Sequence, residues 1–217
     1  MNLCFIGGLG DDAAAWNGVI SSLPAEWSTT AFSLSDLCSL EHFTLDSAVT
    51  ALGTRLAAAS SRTHLVGLSA GAMVALRYGA SHEIASLLLC SPQMRPPAAL
   101  MRIQQAIFYL MPERLFQSSG ASKREVMYVA DALAGVDLTP DARRIAVPTT
   151  IACGSADKAN IRAARRTSQT IPNSRLLIVD DARHEWHKQL PQQFVHALMS
   201  HLLSDSSTDS SAETIQE

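Results

Sequence analysis

A chain of 217 residues, 47% hydrophobic and 17% charged, is long enough to bury roughly 70% of its unfolded surface in one α/β domain, so no metal or disulfide staple is required. A net charge of −3 with scattered Lys and Arg gives no basic face for nucleic acid. No run approaches the ~20 apolar residues of a membrane helix, and Met1–Gly10 lacks the basic flank and length of a signal core, so a soluble, cytoplasmic protein with no nucleic-acid or membrane partner is expected.

In chain order, the first apolar run, Leu3–Ile6, reads as a strand leading into Gly7-Gly8-Leu9-Gly10 and a helical pattern at Asp12–Ser21. A second strand at Thr29–Phe32 and a helix at Leu45–Ser60 follow. The third strand, His64–Val66, runs directly into Gly67-Leu68-Ser69-Ala70-Gly71 and a helix at Ala70–Gly79; the fourth is Ser86–Cys90. The interval 91–148 then breaks the rhythm. Its helical patterns Ala98–Leu110, Pro112–Gln117 and Ser122–Leu133, rich in Met, Leu, Ile, Phe and Tyr, are read as a small helical lid spanning residues 96–138, since an apolar pocket needs a roof against water. The competing reading is helices that merely pad the sheet. A fifth strand at Thr149–Cys153, a helix at Asn160–Thr170, a sixth strand at Arg175–Val179 and a helix at Gln192–Leu203 complete the pattern.

Short, nearly all-apolar strands alternating with helices predict an α/β fold, a mostly parallel six-stranded sheet with helices on both faces. Residues 1–203 form this domain. The tail 204–217 carries four acids and no base, which predicts disorder and leaves the folded body near +1. Cys4, Cys38, Cys90 and Cys153 form no C-x-x-C pair and no Cys/His cluster at zinc spacing, so free thiols and no metal are expected.

Chemistry concentrates at G-x-S-x-G. A serine on so tight a strand-to-helix turn is held in a strained conformation, and glycines two residues either side leave room where a Cβ would collide. The helix starting at Ala70 favours negative charge beside the serine. Ser69 is therefore the candidate nucleophile, against the alternative of a chance Gly/Ser loop.

In this context the chain resembles the α/β-hydrolase superfamily, specifically its short lidded members related to carboxylesterases, lactonases and the menaquinone-pathway lyase, over roughly residues 3–203. The resemblance implies the order Ser, Asp, His, with the acid after the next-to-last strand and the histidine after the last. Asp157, in Gly154-Ser155-Ala156-Asp157, and His184, in Asp180-Asp181-Ala182-Arg183-His184, occupy those places, and Pro191 opens the last helix seven residues beyond. Alternatives are Asp157 as a helix cap, Asp180 or Asp181 as the acid, and His187 as the base. An oxyanion hole from the backbone N–H groups of Leu9 and Ala70 is likewise implied, although Gly7 stands where relatives carry a histidine. Asp36-Leu37 matches a family turn. Trp186 and Phe108 are candidate substrate-binding residues. The family's N-terminal β-hairpin is missing, which predicts a smaller sheet with one edge to be managed by another element or a second copy.

The expected activity is cleavage of a carboxylic ester, with a small or medium acyl chain or a lactone, by a serine nucleophile without a cofactor. The partner would be a small-molecule ester and the assembly a monomer or homodimer. Alternatives are a thioesterase or lyase on the same triad, with Arg95, Arg102, Lys123 and Arg124 turned toward a substrate carboxylate, transfer to peroxide or an alcohol, and a slow-turnover ligand-binding module.

Overall fold

The computed structural model describes residues 1–57, 62–96, 109–110, 112–113 and 121–209, with backbone alone from 204 onward. Six strands form one sheet in the order β2-β1-β3-β4-β5-β6: β1 Asn2–Ile6, β2 Ser28–Phe32, β3 His64–Leu68, β4 Ser86–Cys90, β5 Thr149–Gly154 and β6 Ser174–Val179. Every pairing is parallel.

Each strand's alternate residues serve opposite faces. On one face Cys4, Ile6, Leu65, Leu87, Leu89, Ile151 and Cys153 join a core with α2 (Leu34–Leu37), α3 (Leu45–Leu56), α4 (Ala70–Gly79), α5 (Lys123–Ala134) and α7 (Ile161–Thr170). Leu3, Phe5, Val66, Leu68, Leu88 and Val179 face the other way. They pack on Trp16, Val19 and Trp186, and on Phe194, Leu198 and Leu202 of the last helix, α9 (Pro191–Asp209). Because both faces are covered, the central strands are buried almost throughout, whereas β2 and β6 at the edges are only half-buried. All four cysteines are free thiols. Burial pushes the Cys4 thiol up to about 12, which makes it inert.

The observed elements follow the sequence pattern, with short extra helical turns at Leu34–Leu37, Leu40–His42 and Trp186–Gln189 and differences at other points. The stretch Asp12–Ser21 is two short pieces, a 3-10 turn at Ala13–Trp16 and α1 at Asn17–Ile20, the first started by the Asp12 side chain accepting from Ala15 N. The last helix continues to Asp209, into the stretch expected to lack structure. Once nucleated, a helix propagates at small cost per residue, and Ser and Asp do not stop it as Pro would. In the interval after β4 the helix expected at Ser122–Leu133 is observed as α5, packed into the core on one sheet face and opened by a capping box in which Ser122 and Glu125 exchange hydrogen bonds, and α6 (Thr139–Ala142) returns the chain to β5. Most of the first two expected lid helices, including Phe108, lies outside the described residues. Among the described residues no helix is long and apolar enough to cross a membrane.

The chain starts at β1, moves to the edge at β2, then crosses back to β3 and proceeds outward to β6. The direction of winding thus reverses between β1 and β3. At such a switch point the loops leaving two adjacent strands diverge, and a crevice opens at their C-terminal ends. The Gly7-Gly8-Leu9 loop and Ser69 leave those two strands.

Candidate active site

β3 ends at Leu68 and α4 begins at Ala70, so Ser69 alone makes the turn. Its backbone is at φ 53°, ψ −114°, a conformation that costs a residue with a Cβ about 1–3 kcal/mol. Two glycines permit it. A Cβ on Gly67 would lie 2.6 Å from Ala72 Cα, and one on Gly71 would lie 2.3 Å from Ile6 O. Ser69 N donates to Cys90 O at 2.9 Å, tying the turn to the end of β4. The half-buried Ser69 hydroxyl forms no hydrogen bond among the described residues; contacts of this kind often tighten only when substrate binds.

Asp11 holds the loop after β1 against that turn. Its buried carboxylate accepts the Gly8 N–H on Oδ2 at 2.9 Å and pairs through Oδ1 with Lys188, which also pairs with Glu185 at 2.7 Å. A Cβ on Gly8 would sit 3.2 Å from Asp11 Oδ2 and 3.5 Å from Ser69 Cβ, while one on Gly7 would sit 2.9 Å from Asp11 Cβ. Gly7 is therefore what seats Asp11, which accounts for the missing histidine. Among the described residues no hydrogen bond engages the N–H of Leu9 or of Ala70. Both belong to the turns that meet at the switch point, and Ala70 opens α4, where N–H groups are intrinsically unpaired.

Asp157 and His184 leave β5 and β6 on the same side of the sheet. His184 Nδ1 lies 2.8 Å from Asp157 Oδ2. An ionised carboxylate only accepts, so Nδ1 carries the proton and Nε2 keeps its lone pair. Asp157 is 7% exposed and accepts two further donors, Ser91 Oγ at 2.8 Å and Asn160 Nδ2 at 2.8 Å to Oδ1 and 3.1 Å to Oδ2. Asn160 is oriented by Gln93, whose Nε2 donates to Asn160 Oδ1 at 2.6 Å. With its oxygen committed there, Asn160 presents its amide nitrogen to Asp157. Its 3.2 Å approach to His184 Nδ1 is then a contact between two donors.

These contacts set the charges. Burial pushes the Asp157 carboxyl up, but the hydrogen bond and charge of His184, with the bonds from Asn160 and Ser91, outweigh it and hold the carboxyl below its usual value. Burial also works against the His184 imidazolium, yet the Asp157 hydrogen bond and charge, helped by Glu185 and Asp11, lift it above the usual 6.5.

Neither Ser91 nor Asn160 stands out in the sequence. Ser91 follows β4 at φ 48°, fully buried, its N–H donating to Ala152 O at 2.8 Å. The left-handed turn drives its hydroxyl toward Asp157, 66 residues away in sequence. Only its place at the end of a central strand, beside Pro92, could have flagged it.

The competing candidates separate from the site. His187 is 1% exposed and packs on Trp16 in a tilted contact with ring centroids 4.3 Å apart; burial, with the charge of Lys188, lowers its pKa to about 4. Asp181 is exposed, its N–H donating to Ser155 Oγ at 2.9 Å. Trp186 must be corrected. Although two residues from His184, it is 0% exposed and packs on Phe194 with centroids 4.5 Å apart. The short helix α8 (Trp186–Gln189) begins at this residue and turns its indole inward beneath α9, so it is core and walls no pocket.

A family model described as the alpha/beta hydrolase family matches residues 5–197. Among solved structures, the chain is similar to MenH from S. aureus, with a TM-score of 0.82, 19% identity, and coverage of 95% of this chain and 94% of that one. It also resembles the enol-lactonase from Burkholderia xenovorans LB400, with a TM-score of 0.78, 17% identity, and 93% and 91% coverage. A thermophilic esterase from Thermogutta terrifontis gives a TM-score of 0.75 at 17% identity, with 94% and 90% coverage. At these identities the likeness is one of fold. A search of curated proteins by sequence gave no match.

Proposed function

Because the chain belongs to the alpha/beta hydrolase family, we propose that it is a serine hydrolase that cleaves a carboxylic ester or lactone through an acyl-enzyme on Ser69. The observation that carries this reading is the 2.8 Å His184–Asp157 hydrogen bond on the same side of the sheet as the strained Ser69 turn.

The roles follow from elementary acid–base chemistry. A serine hydroxyl attacks a carbonyl only when a base takes its proton as the bond forms. His184 Nε2 is that base, because Asp157 keeps the proton on Nδ1 and stabilises the imidazolium that forms. The proton then passes from His184 to the departing alkoxide, and in the second half the same nitrogen activates the water that releases the acid. Negative charge on the former carbonyl oxygen falls to the N–H groups of Leu9 and Ala70, aided by the α4 N-terminus. The loop carrying Leu9 is held by the Asp11 clasp on Gly8.

The test is covalent labelling with a fluorophosphonate and turnover of short p-nitrophenyl esters, in wild type and in Ser69→Ala and His184→Ala variants checked for fold by circular dichroism. Labelling and turnover present in wild type and lost in both variants are expected. A folded wild-type protein that neither labels nor turns over would overturn the reading, leaving a ligand-binding module.

A further inference from the structure

Beside the Asp157 network, but not containing it, lies a second concavity of about 500 Å³, bounded by one side of α7, the loop after β4 and the start of α6. This is a size typical of small-molecule sites, and its charge is one-sided. Arg95, Arg162 and Arg166 line it together with the neutral polar groups of Gln93, Thr139 and Gln169. Arg162 and Arg166 form no ion pair among the described residues. Arg95 pairs with Asp137 Oδ2, 3.8 Å from its Nε, while Asp137 Oδ1 accepts the Thr139 N–H at 2.9 Å.

Two features argue for a ligand rather than a plain solvated surface. Arg162 and Arg166 stand one turn apart on α7, where like charges repel and destabilise the helix. α7, with sequence IRAARRTSQT, carries no acid to offset them. Moreover, the guanidinium forks come from two elements, α7 and the loop after β4, that meet at one cleft, which suits an anion with several oxygens. A single carboxylate would leave at least one arginine unmatched.

The geometry points to this cleft as a binding site for a phosphate-bearing small molecule, gripped by Arg95, Arg162 and Arg166. Gln93 connects it to the chemistry. It lines the cleft and donates to Asn160, which in turn donates to Asp157. The phosphate belongs either to a remote arm of the substrate or to a separate effector, and both sources share the same recognition. Binding itself does not rest on the ester-hydrolase reading.

Pyrophosphate is the probe. Isothermal titration of the full chain should show binding to wild type and to Ser69→Ala alike, weakening with added salt. Binding should fall about tenfold or more in Arg162→Ala/Arg166→Ala and stay unchanged in Arg62→Ala, an exposed arginine outside the cleft. No binding by folded wild type, or equal weakening by Arg62→Ala, would overturn the proposal. Kinetics then identify the source. Pyrophosphate that raises KM only for a coenzyme A thioester marks a substrate arm, whereas a changed kcat on neutral p-nitrophenyl acetate marks an effector.

Discussion

Ser91 shows how a residue can serve the site without meeting substrate. Its hydroxyl is one of the donors that hold the Asp157 carboxylate ionised in a buried setting, while His184 supplies another. Replacing it by alanine removes a hydrogen bond to a charged group, worth about 1.5–3 kcal/mol, but leaves the His184–Asp157 contact. Ser91→Ala should therefore lower kcat/KM about tenfold while the acid limb of the pH profile stays above the usual histidine value of 6.5, because only neutral His184 is active and Asp157 still raises its pKa. Asp157→Asn should differ in kind, moving the limb to lower pH and cutting kcat by about 10⁴-fold. A pH–rate series on the two variants separates them. The sequence singled out Ser69 through its strand–turn–helix setting, and the family resemblance pointed to Asp157 and His184 after the last two strands. The sequence hid Ser91, Asn160 and Asp11 because their roles arise from contacts between loops that only the folded sheet brings together. Trp186 misled for the same reason, since nearness along the chain does not set the direction of a side chain.

At the scale of elements, the strands were legible because burial on both faces leaves the central ones mostly apolar, and each expected run lies within an observed strand. The junction of β1, β3 and α4 leaves no room for an added side chain. Gly71 lies under the carbonyls of Ile6 and Gly7, 2.3 and 2.4 Å from where a Cβ would be placed, and neither backbone group can yield without moving the loop that carries Leu9. Gly71→Ala should cost on the order of 3 kcal/mol, lowering Tm by about 6–12 °C, and should reduce turnover even in the fraction that folds. Differential scanning calorimetry beside single-turnover kinetics checks both. Helix boundaries were less legible than strands. The break within Asp12–Ser21 depends on how Trp16 seats against Phe5 and Phe194, which local sequence does not encode.

For the molecule as a whole, two buried histidines, His187 and His201, link stability to pH. His201 on α9 bridges Ser86 Oγ, 2.8 Å from Nε2, and Thr150 Oγ1, 2.9 Å from Nδ1, and burial, with the charges of His64 and Arg175, lowers its pKa to about 4, as for His187. Both stay neutral in the fold while the unfolded chain takes up protons near 6.5. Stability is thus full above pH 6.5 and falls as the pH drops toward 4, by on the order of 3 kcal/mol for each histidine. Tm measured across that range should decline steeply in wild type and less so in His201→Asn. The backbone carries a different kind of load. Ser69 and Ser91 both occupy left-handed turns at the ends of neighbouring strands, in a conformation that glycine reaches freely and serine does not. Selection for thermal robustness alone would therefore erode this site. Ser69→Gly should melt several degrees higher than wild type while losing all labelling, so the more heat-resistant molecule would be the inert one.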